Sequence, residues 1–162
     1  MAAPTDLLPT FPAVQSYRLL QETDKSTSLS GKIYAREKGV LRFEVTLQAL
    51  PMTPARYAPI AGFLARHVGP ANPFHIKIQQ PLSGDIVQTG NFVNWSASPQ
   101  GKLYQVTSVD PVAVHPQPPS GTPFTVDQAA YLFCAMKGSV QQVQDDRTGL
   151  VSFSLTVEEH LL

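Results

Sequence analysis

The chain has 162 residues, of which 43% are hydrophobic, and this length and composition fit one globular domain with a core of its own. Its 12 basic and 12 acidic residues leave no formal net charge, which argues against nucleic acid as a partner because no surplus of cations is available to neutralise phosphates. Charged residues make up only 15% of the chain, below the roughly 25% of ordinary soluble domains, and this favours a protein that works in an assembly.

Cysteine content and hydropathy point to an aqueous setting. Cys134 is the only cysteine and lies within an apolar run, so we expect no intrachain disulfide and a buried, unreactive thiol. No run of about 18 apolar residues predicts a membrane span, and the N-terminus lacks the pattern of a secretory signal. We therefore expect a cytosolic site of synthesis and no membrane partner.

The first element is an extended arm at residues 1–14, followed by a single β-rich domain over residues 15–162. The arm contains three prolines, which disfavour both a helix and a central strand. Because an apolar arm buries itself against something, it covers either its own domain or a neighbouring subunit. We take Leu7, Leu8 and Phe11 as candidate subunit-interface residues.

The clearest strand lies at residues 40–48, after strand-like runs at 17–20 and 29–35 and a predicted turn at 37–39. Apolar and polar positions alternate along it, and the apolar ones are Leu41, Phe43, Val45 and Leu47. Strands covered on both faces read as continuous apolar runs, so this alternation predicts an antiparallel sheet with one covered face.

A short helix is predicted at about residues 54–67. Thr53 is suited to cap it, and Pro54 to occupy its first position, where a missing N–H breaks no hydrogen bond. Helical spacing then places Ile60, Phe63, Leu64 and His67 on one stripe. Pro59 leaves two possibilities, a kink or a helix that starts near residue 59.

Strand signals dominate the rest of the chain. We predict a strand at residues 74–78, a hairpin with a polar tip over 86–109, and a final hairpin over 140–157 with its turn at 145–149. The apolar run at 131–136 suits a buried strand or a helix, and we favour the strand.

Residues 110–125 form a proline-rich segment with five prolines, too many for regular structure or for one tight turn. We interpret it as a long loop or a ribbon along a sheet edge, and favour a role in contacting another subunit. Val114, Pro118 and Phe124 are its candidate interface residues.

No pattern of residues predicts chemistry. The four histidines, His67, His75, His115 and His160, lack the spacing of metal ligands, and His75 is expected on the polar face of its strand. Neither a nucleophile elbow nor a phosphate-binding loop occurs. The neighbouring acids Glu158 and Glu159 point to opposite faces if they lie on a strand. We predict no enzymatic activity, no cofactor and no metal.

The order of elements resembles a known family. Its parts are the strand 42–47 (Arg-Phe-Glu-Val-Thr-Leu), a turn with Pro51, a helix with Ala61, Phe63 and Leu64, a turn with Gly69, the strand 74–78 (Phe-His-Ile-Lys-Ile), and the closing hairpin from Val140 to Leu155 with Glu158 or Glu159 and Leu161. This order is similar to the N-terminal belt domain of distal tail proteins and related minor tail proteins of tailed bacteriophages. The resemblance spans about residues 17–162.

The resemblance implies a mainly β fold, an antiparallel split β-barrel or sandwich-like belt domain with one short helix. It further implies a homo-oligomeric ring, a hexamer, that joins the tail tube protein to baseplate hub or tail-tip proteins. The protein would then be a structural component of the virion, assembled in the host cytoplasm. Many relatives carry a second domain with side arms, and because 162 residues leave no room for one, the resemblance does not extend to direct carriage of receptor-binding proteins.

Two other interpretations stay open. One is a different small tail protein, of the tube-like, completion or wedge type, because these also use small β-barrels with one helix. The other is a monomeric carbohydrate-binding β module, in which Phe92, Trp95 and Tyr104 form an aromatic platform for a sugar.

Overall fold

A computed structural model describes residues 5–94, 102–116, 118 and 129–160, with the backbone alone described at 22–25 and 33–40. In chain order the described elements are β1 (Ala13–Thr27), β2 (Ile33–Ala49), α1 (Pro54–Arg66), β3 (Phe74–Lys77), β4 (Phe92–Asn94), β5 (Leu103–Val109), β6 (Val112–His115), β7 (Tyr131–Met136), β8 (Gln141–Gln144) and β9 (Val151–Glu159). The predicted fold class is confirmed, because the structure is mainly β, pairs its named strands in antiparallel fashion, and has one short helix.

The strands form two sheets. The main sheet has the order β1-β2-β9-β7-β3, with β8 beside β9, and the small sheet has the order β4-β5-β6. The main core lies between the inner face of the main sheet, the helix and one face of the small sheet. A second, smaller core lies on the other face of the small sheet and consists of Val93, Tyr104, Val106 and Val114, with Ile86 and Val87 packed against them.

The predicted alternation in β2 and β9 is confirmed. Val45 faces Val157, and Leu47 faces Leu155, in the register between the two strands. These four side chains are at most 2% exposed, whereas the residues between them lie on the outer face. Residues 131–136 form a strand, as we favoured, and all six are buried because β9 and β3 flank this strand and both its faces are covered.

The helix begins at Pro54, so Pro59 lies inside it and the alternative of a later start is excluded. The Oγ1 of Thr53 accepts a hydrogen bond from the backbone N–H of Arg56 at 3.4 Å, which satisfies one of the free donors of the first turn. The buried stripe of the helix consists of Tyr57, Ile60, Phe63 and Leu64. At the C-terminal end the ring of His67 stacks on that of Phe63, with 4.3 Å between centroids.

The predicted turn at residues 37–39 is wrong. β2 is continuous through these residues, and the actual turn lies at residues 28–32, where Gly31 has a φ of +80° and the N–H of Ser28 donates to the carbonyl of Lys32. β1 pairs with residues 33–38 and 42–49 of β2, and Gly39 lies between these two paired stretches, at the register shift between Leu20 and Glu22.

The arm lies on its own domain. The N–H of Leu8 donates to the carbonyl of His75 at 2.9 Å, and the N–H of His75 donates to the carbonyl of Asp6 at 2.7 Å. Leu8 and Phe11 are buried in the main core, and β1 begins at Ala13, one residue before the predicted end of the arm.

His75 is not on a polar face, as predicted from its strand, but is 4% exposed. The arm pairs along one side of β3, and β7 pairs along the other, where the ring of His75 lies 4.8 Å from that of Phe133. The alternation of apolar and polar residues along β3 therefore does not separate a buried face from a solvent-exposed face.

β1 and β3 are the two edge strands of the main sheet, and no backbone ladder connects them in the described residues. Side chains instead join β1 to the residues at and after the end of β3. The Nε2 of Gln15 donates to the carbonyl of Lys77 at 3.2 Å, and the N–H of Gln79 donates to the Oε1 of Gln15 at 3.1 Å. The hydroxyl of Tyr17 hydrogen-bonds to Gln15 Oε1 at 2.6 Å and to the carbonyl of Gln79 at 3.0 Å.

The proline-rich segment contains a strand, so the loop interpretation is wrong for residues 112–115, and the ribbon interpretation is right there. β6 pairs with β5, and Pro111 and Pro116 stand just outside it, where a missing N–H interrupts no ladder bond. Pro118 is half-buried, while Phe124 and the polar tip of the preceding hairpin lie outside the described residues. That hairpin is shorter than predicted, because residues 86–91 form turns before β4.

In the part of the chain that the structure describes, no helix is long and apolar enough to cross a membrane.

Candidate functional site

The chemistry-bearing residues are used for packing. Among the described residues, no three or more His, Cys, Asp or Glu side chains are grouped so as to hold a metal ion. His75 and His160 both lie against the ring of Phe133. Burial, and secondarily the negative charge of Glu159, raises the pKa of the Cys134 thiol well above its usual range, so the thiol is protonated and shielded from solvent.

Glu159 is the one acid in the described core, and it joins the two sheets. Its Oε1 accepts from the N–H of Leu103 in β5 at 2.9 Å, and its Oε2 accepts from the N–H of Phe43 in β2 at 3.1 Å. The ammonium group of Lys102 lies 2.7 Å from Oε2, with the lysine side chain 14% exposed and the glutamate 2% exposed. Three hydrogen-bond donors stabilise the buried carboxylate in this position. All three belong to the chain itself, so we assign Glu159 no ligand.

Carboxamide side chains fasten the small sheet and its neighbouring loop by mimicking backbone pairing. Asn94 donates to the carbonyl of Tyr131 and accepts from its N–H, both at 2.8 Å. Gln80 does the same with Phe92, at 2.6 and 2.7 Å. These amides are fully engaged in structure, so we assign them no ligand.

The outer face of the main sheet is polar, and its charges are largely neutralised within the chain. Arg42 pairs with Glu158 at 2.9 Å, and Lys137 pairs with Glu44 at 2.6 Å. The hydrogen bond to Glu44, followed by the charge of that carboxylate, raises the pKa of Lys137, which keeps the lysine cationic. A sheet face with paired charges can be covered by another protein without leaving a charge unpaired.

A two-stranded ribbon extends beyond the main sheet. β9 pairs with β2 over residues 44–48, so the outer ribbon, residues 20–42, has no other strand beside either of its edges in the described part of the chain. Seven residue steps from Leu20 to Thr27 give it a length of about 23 Å. Its turn carries Leu29, which is fully exposed. Isolated two-stranded hairpins are marginally stable in water, so such a ribbon gains from a covering surface.

A groove lies between α1 and the segment that leads into β8. It has a volume of about 340 Å³ and is lined by Tyr57, Ala61, Leu64, Ala65, Val68, Met136, Gly138, Ser139, Val140 and Gln142. A second cleft, of about 390 Å³, lies beneath the chain's own arm and is lined by Leu8, Phe11, Gln15, Ile78, Gln79 and Ala130 among others.

The predicted interface residues do not form one exposed patch. Leu8 and Phe11 are buried in the main core, and Val114 is buried in the small core. Leu7 is partly exposed and lies beside His75. Exposed apolar side chains occur elsewhere, at positions that sequence reasoning missed: Val14, Leu29, Leu50, Val68 and Val143. Of these, only Leu29 carried a sequence signal, a lone leucine within a serine-rich turn.

Phe92 and Tyr104 do not share an aromatic platform. Phe92 is 3% exposed and belongs to the main core, whereas Tyr104 is 5% exposed and belongs to the small core on the other face of the sheet. Trp95, the third residue of the predicted platform, lies outside the described residues. Phe92 and Tyr104 thus give the carbohydrate interpretation no exposed aromatic pair.

No protein-family model and no curated protein matches the sequence.

Proposed function

We propose that this chain is a structural protein of a bacteriophage tail, a ring-forming distal tail or baseplate hub component that connects the tail tube to the tail tip or baseplate. The outer ribbon is the observation that carries the proposal. The 15-residue β1 and the 17-residue β2 extend past the main sheet, and among the described residues no further strand pairs with either edge of this extension, whose turn carries a fully exposed leucine. Such a projection is suited to clasping another copy of the chain.

Assembly through a ribbon favours a ring. The ribbon is a different surface from whatever receives it, so the contact is heterologous and repeats from copy to copy until it closes. The phage-tail resemblance suggests closure at six subunits. In this proposal Leu7, Leu8 and Phe11 stabilise the subunit itself, and residues 1–14 and 15–162 act as one domain with its covering arm.

Partners above and below the ring would be the tail tube protein and the baseplate hub or tail-tip proteins. The outer face of the main sheet supports such a role, because its ion pairs, such as that between Arg42 and Glu158, allow it to be covered without an unpaired charge. The protein would act in the virion, by binding rather than by catalysis, with no cofactor, metal or nucleic acid involved.

The first test is the molar mass of the purified chain over a concentration series, measured by light scattering after size exclusion, with negative-stain imaging of any large species. We expect rings, with six subunits in the leading case. A chain that stays strictly monomeric up to millimolar concentration would contradict the proposal.

A matched variant tests the role of the ribbon. Deletion of residues 24–27 and 33–36 together removes four pairs of facing residues between β1 and β2 and retains the turn at 28–32. Because an even number of residues is removed from each strand, the remaining side chains stay on the same faces. This variant is expected to keep the thermal midpoint of the wild type and to lose the rings. Antibody labelling of tailed particles then locates the protein, and labelling along the whole tube, rather than at its end, would favour a tube-like protein instead.

A further inference from the structure

The ribbon of each subunit needs a receiving surface. We propose that the turn of the ribbon in one copy docks in the groove between α1 and β8 of the next copy, with Leu29 as its apolar anchor. This inference rests on the ring assembly proposed above and names the contact that builds it.

The donor is a pre-organised turn. Ser28 and Ser30 share a hydrogen bond between their hydroxyl oxygens at 2.8 Å, and the N–H of Lys32 donates to the Oγ of Ser28 at 3.2 Å. Gly31, with its φ of +80°, completes the turn. Because these bonds hold the backbone, Leu29 is presented to solvent at little further cost in conformational entropy on binding.

The acceptor is an apolar groove with an exposed apolar residue at its rim. Leu64 and Met136 are buried at its base, and Val68 at its rim is 62% exposed. A leucine side chain inserted between the helix and the sheet would cover Val68 and remove its own apolar surface from water.

The edge of β8 next to this groove is open to a further backbone. Its four residues, Gln141–Gln144, are all exposed and uncharged, and no described segment other than β9 pairs with the strand. Natural edge strands are usually protected by charges, proline or a covering element. An unprotected, neutral edge beside an apolar groove is typical of a site that accepts an extended segment.

Charge complementarity selects the ribbon of a second copy as the occupant. Residues 25–35, the free end of the ribbon, contain Lys25 and Lys32 and no acidic residue, whereas Arg36 and Lys38 stand opposite Asp24 and Glu22 in the strand register. The turn that follows β8 carries the exposed acids Asp145 and Asp146 with a single Arg147. The basic end of one ribbon and this acidic turn attract one another when Leu29 enters the groove.

The cleft beneath the arm is a poorer acceptor. The chain's own residues Leu8 and Phe11 already cover it, and Lys77 lies on its wall, where it would repel a basic ribbon. The α1–β8 groove has neither obstacle among its lining residues.

Cysteine crosslinking tests the contact directly. A Leu29→Cys variant is mixed with a Val68→Cys variant under mild oxidation, while the native Cys134 stays silent because it is buried. The expected product is a covalent heterodimer that neither variant forms alone, and a chain with both substitutions is expected to give a ladder of covalent oligomers. In the matched control, Leu29→Cys is mixed with Leu82→Cys in place of Val68→Cys. Leu82 is an exposed apolar residue outside the groove, so this mixture should give no product.

Substitution tests the energetics without crosslinking. Leu29→Asp and Val68→Asp are each expected to weaken self-association about tenfold or more, and Leu82→Asp to leave it unchanged. Both test positions are exposed, so the subunit fold should be retained, as circular dichroism would verify. Charge reversal by Asp145→Lys should also weaken association, with a smaller effect at high salt.

The outcomes separate this inference from the proposed function. Rings that form without a crosslink between positions 29 and 68, and that survive Leu29→Asp, would overturn the docking contact and leave the tail-ring proposal intact. A crosslink of Leu29→Cys with itself would also overturn it, since the ribbons would then meet tip to tip. A strict monomer would overturn both.

Discussion

Glu159 and Leu103 are joined by a hydrogen bond of 2.9 Å, in which the backbone N–H of β5 donates to a carboxylate at the end of β9. This bond ties the small sheet to the main sheet, and it depends on a charge that is almost completely removed from water. The stability of the fold is therefore sensitive to this one acid.

Glu159→Gln is expected to lower the free energy of unfolding by about 2 kcal/mol, because Lys102 loses its counter-charge and the amide has one acceptor oxygen where the carboxylate has two, which leaves at least one buried donor without an acceptor. Urea denaturation followed by circular dichroism measures the change. The matched control is Glu158→Gln on the outer face, where the partly exposed pair with Arg42 contributes less than about 1 kcal/mol. Equal effects of the two variants would show that the buried carboxylate does not join the sheets.

Asn94→Asp is expected to destabilise the fold by about 2 kcal/mol at neutral pH. The substitution removes the amide that donates to the carbonyl of Tyr131 and places a second acceptor against that oxygen in a buried position. Asn72→Asp is the control, because Asn72 is exposed, although its amide also donates to a carbonyl, that of Val68 at 3.0 Å. Thermal unfolding of both variants distinguishes a buried amide clamp from an ordinary surface hydrogen bond.

Ionisation of Tyr17 is expected to lower the stability of the fold at alkaline pH. Burial raises the pKa of Tyr17 from 10.0 to about 12. A tyrosine with a raised pKa stabilises the fold in its neutral form, so this contribution is complete below pH 10 and is lost as the pH rises towards 12.

Tyr17→Phe should therefore be less stable than the wild type by about 1 kcal/mol at neutral pH, because it loses the hydroxyl hydrogen bonds. The difference should shrink between pH 10 and pH 12, since only the wild type has this group to ionise. Urea titrations of both proteins at a series of pH values measure it. A difference that stays constant with pH would contradict the assignment.

Cys134 should react with alkylating reagents only when the protein unfolds. Its side chain is fully buried, and burial raises its thiol pKa, so both access and thiolate are lacking in the native state. In a Ser83→Cys variant, which retains Cys134, we expect the exposed new thiol to react about a thousand times faster or more. Mass spectrometry counts the labels over time, and two labels added at similar rates would refute the prediction.

Local patterns predicted the elements whose determinants lie within a few residues. Alternation in β2 and β9 fixes which side chains face inward, because successive residues of a strand point to opposite faces. Thr53 and Pro54 likewise define the start of the helix through backbone donors of its own first turn. These features follow from the geometry of a single segment, so the sequence by itself determined them.

Tertiary structure decided the features that depend on neighbours. Gly39 lies within a strand because β1 pairs with β2 both before and after it, and His75 is buried where the arm pairs with β3. Glu159 continues the buried positions of β9, but its donors come from two other strands far away in sequence. The groove beside β8 also exists only once α1 packs under the sheet. Hydrogen-bond partners and covering surfaces are relations between distant segments, and no local period of residues encodes them.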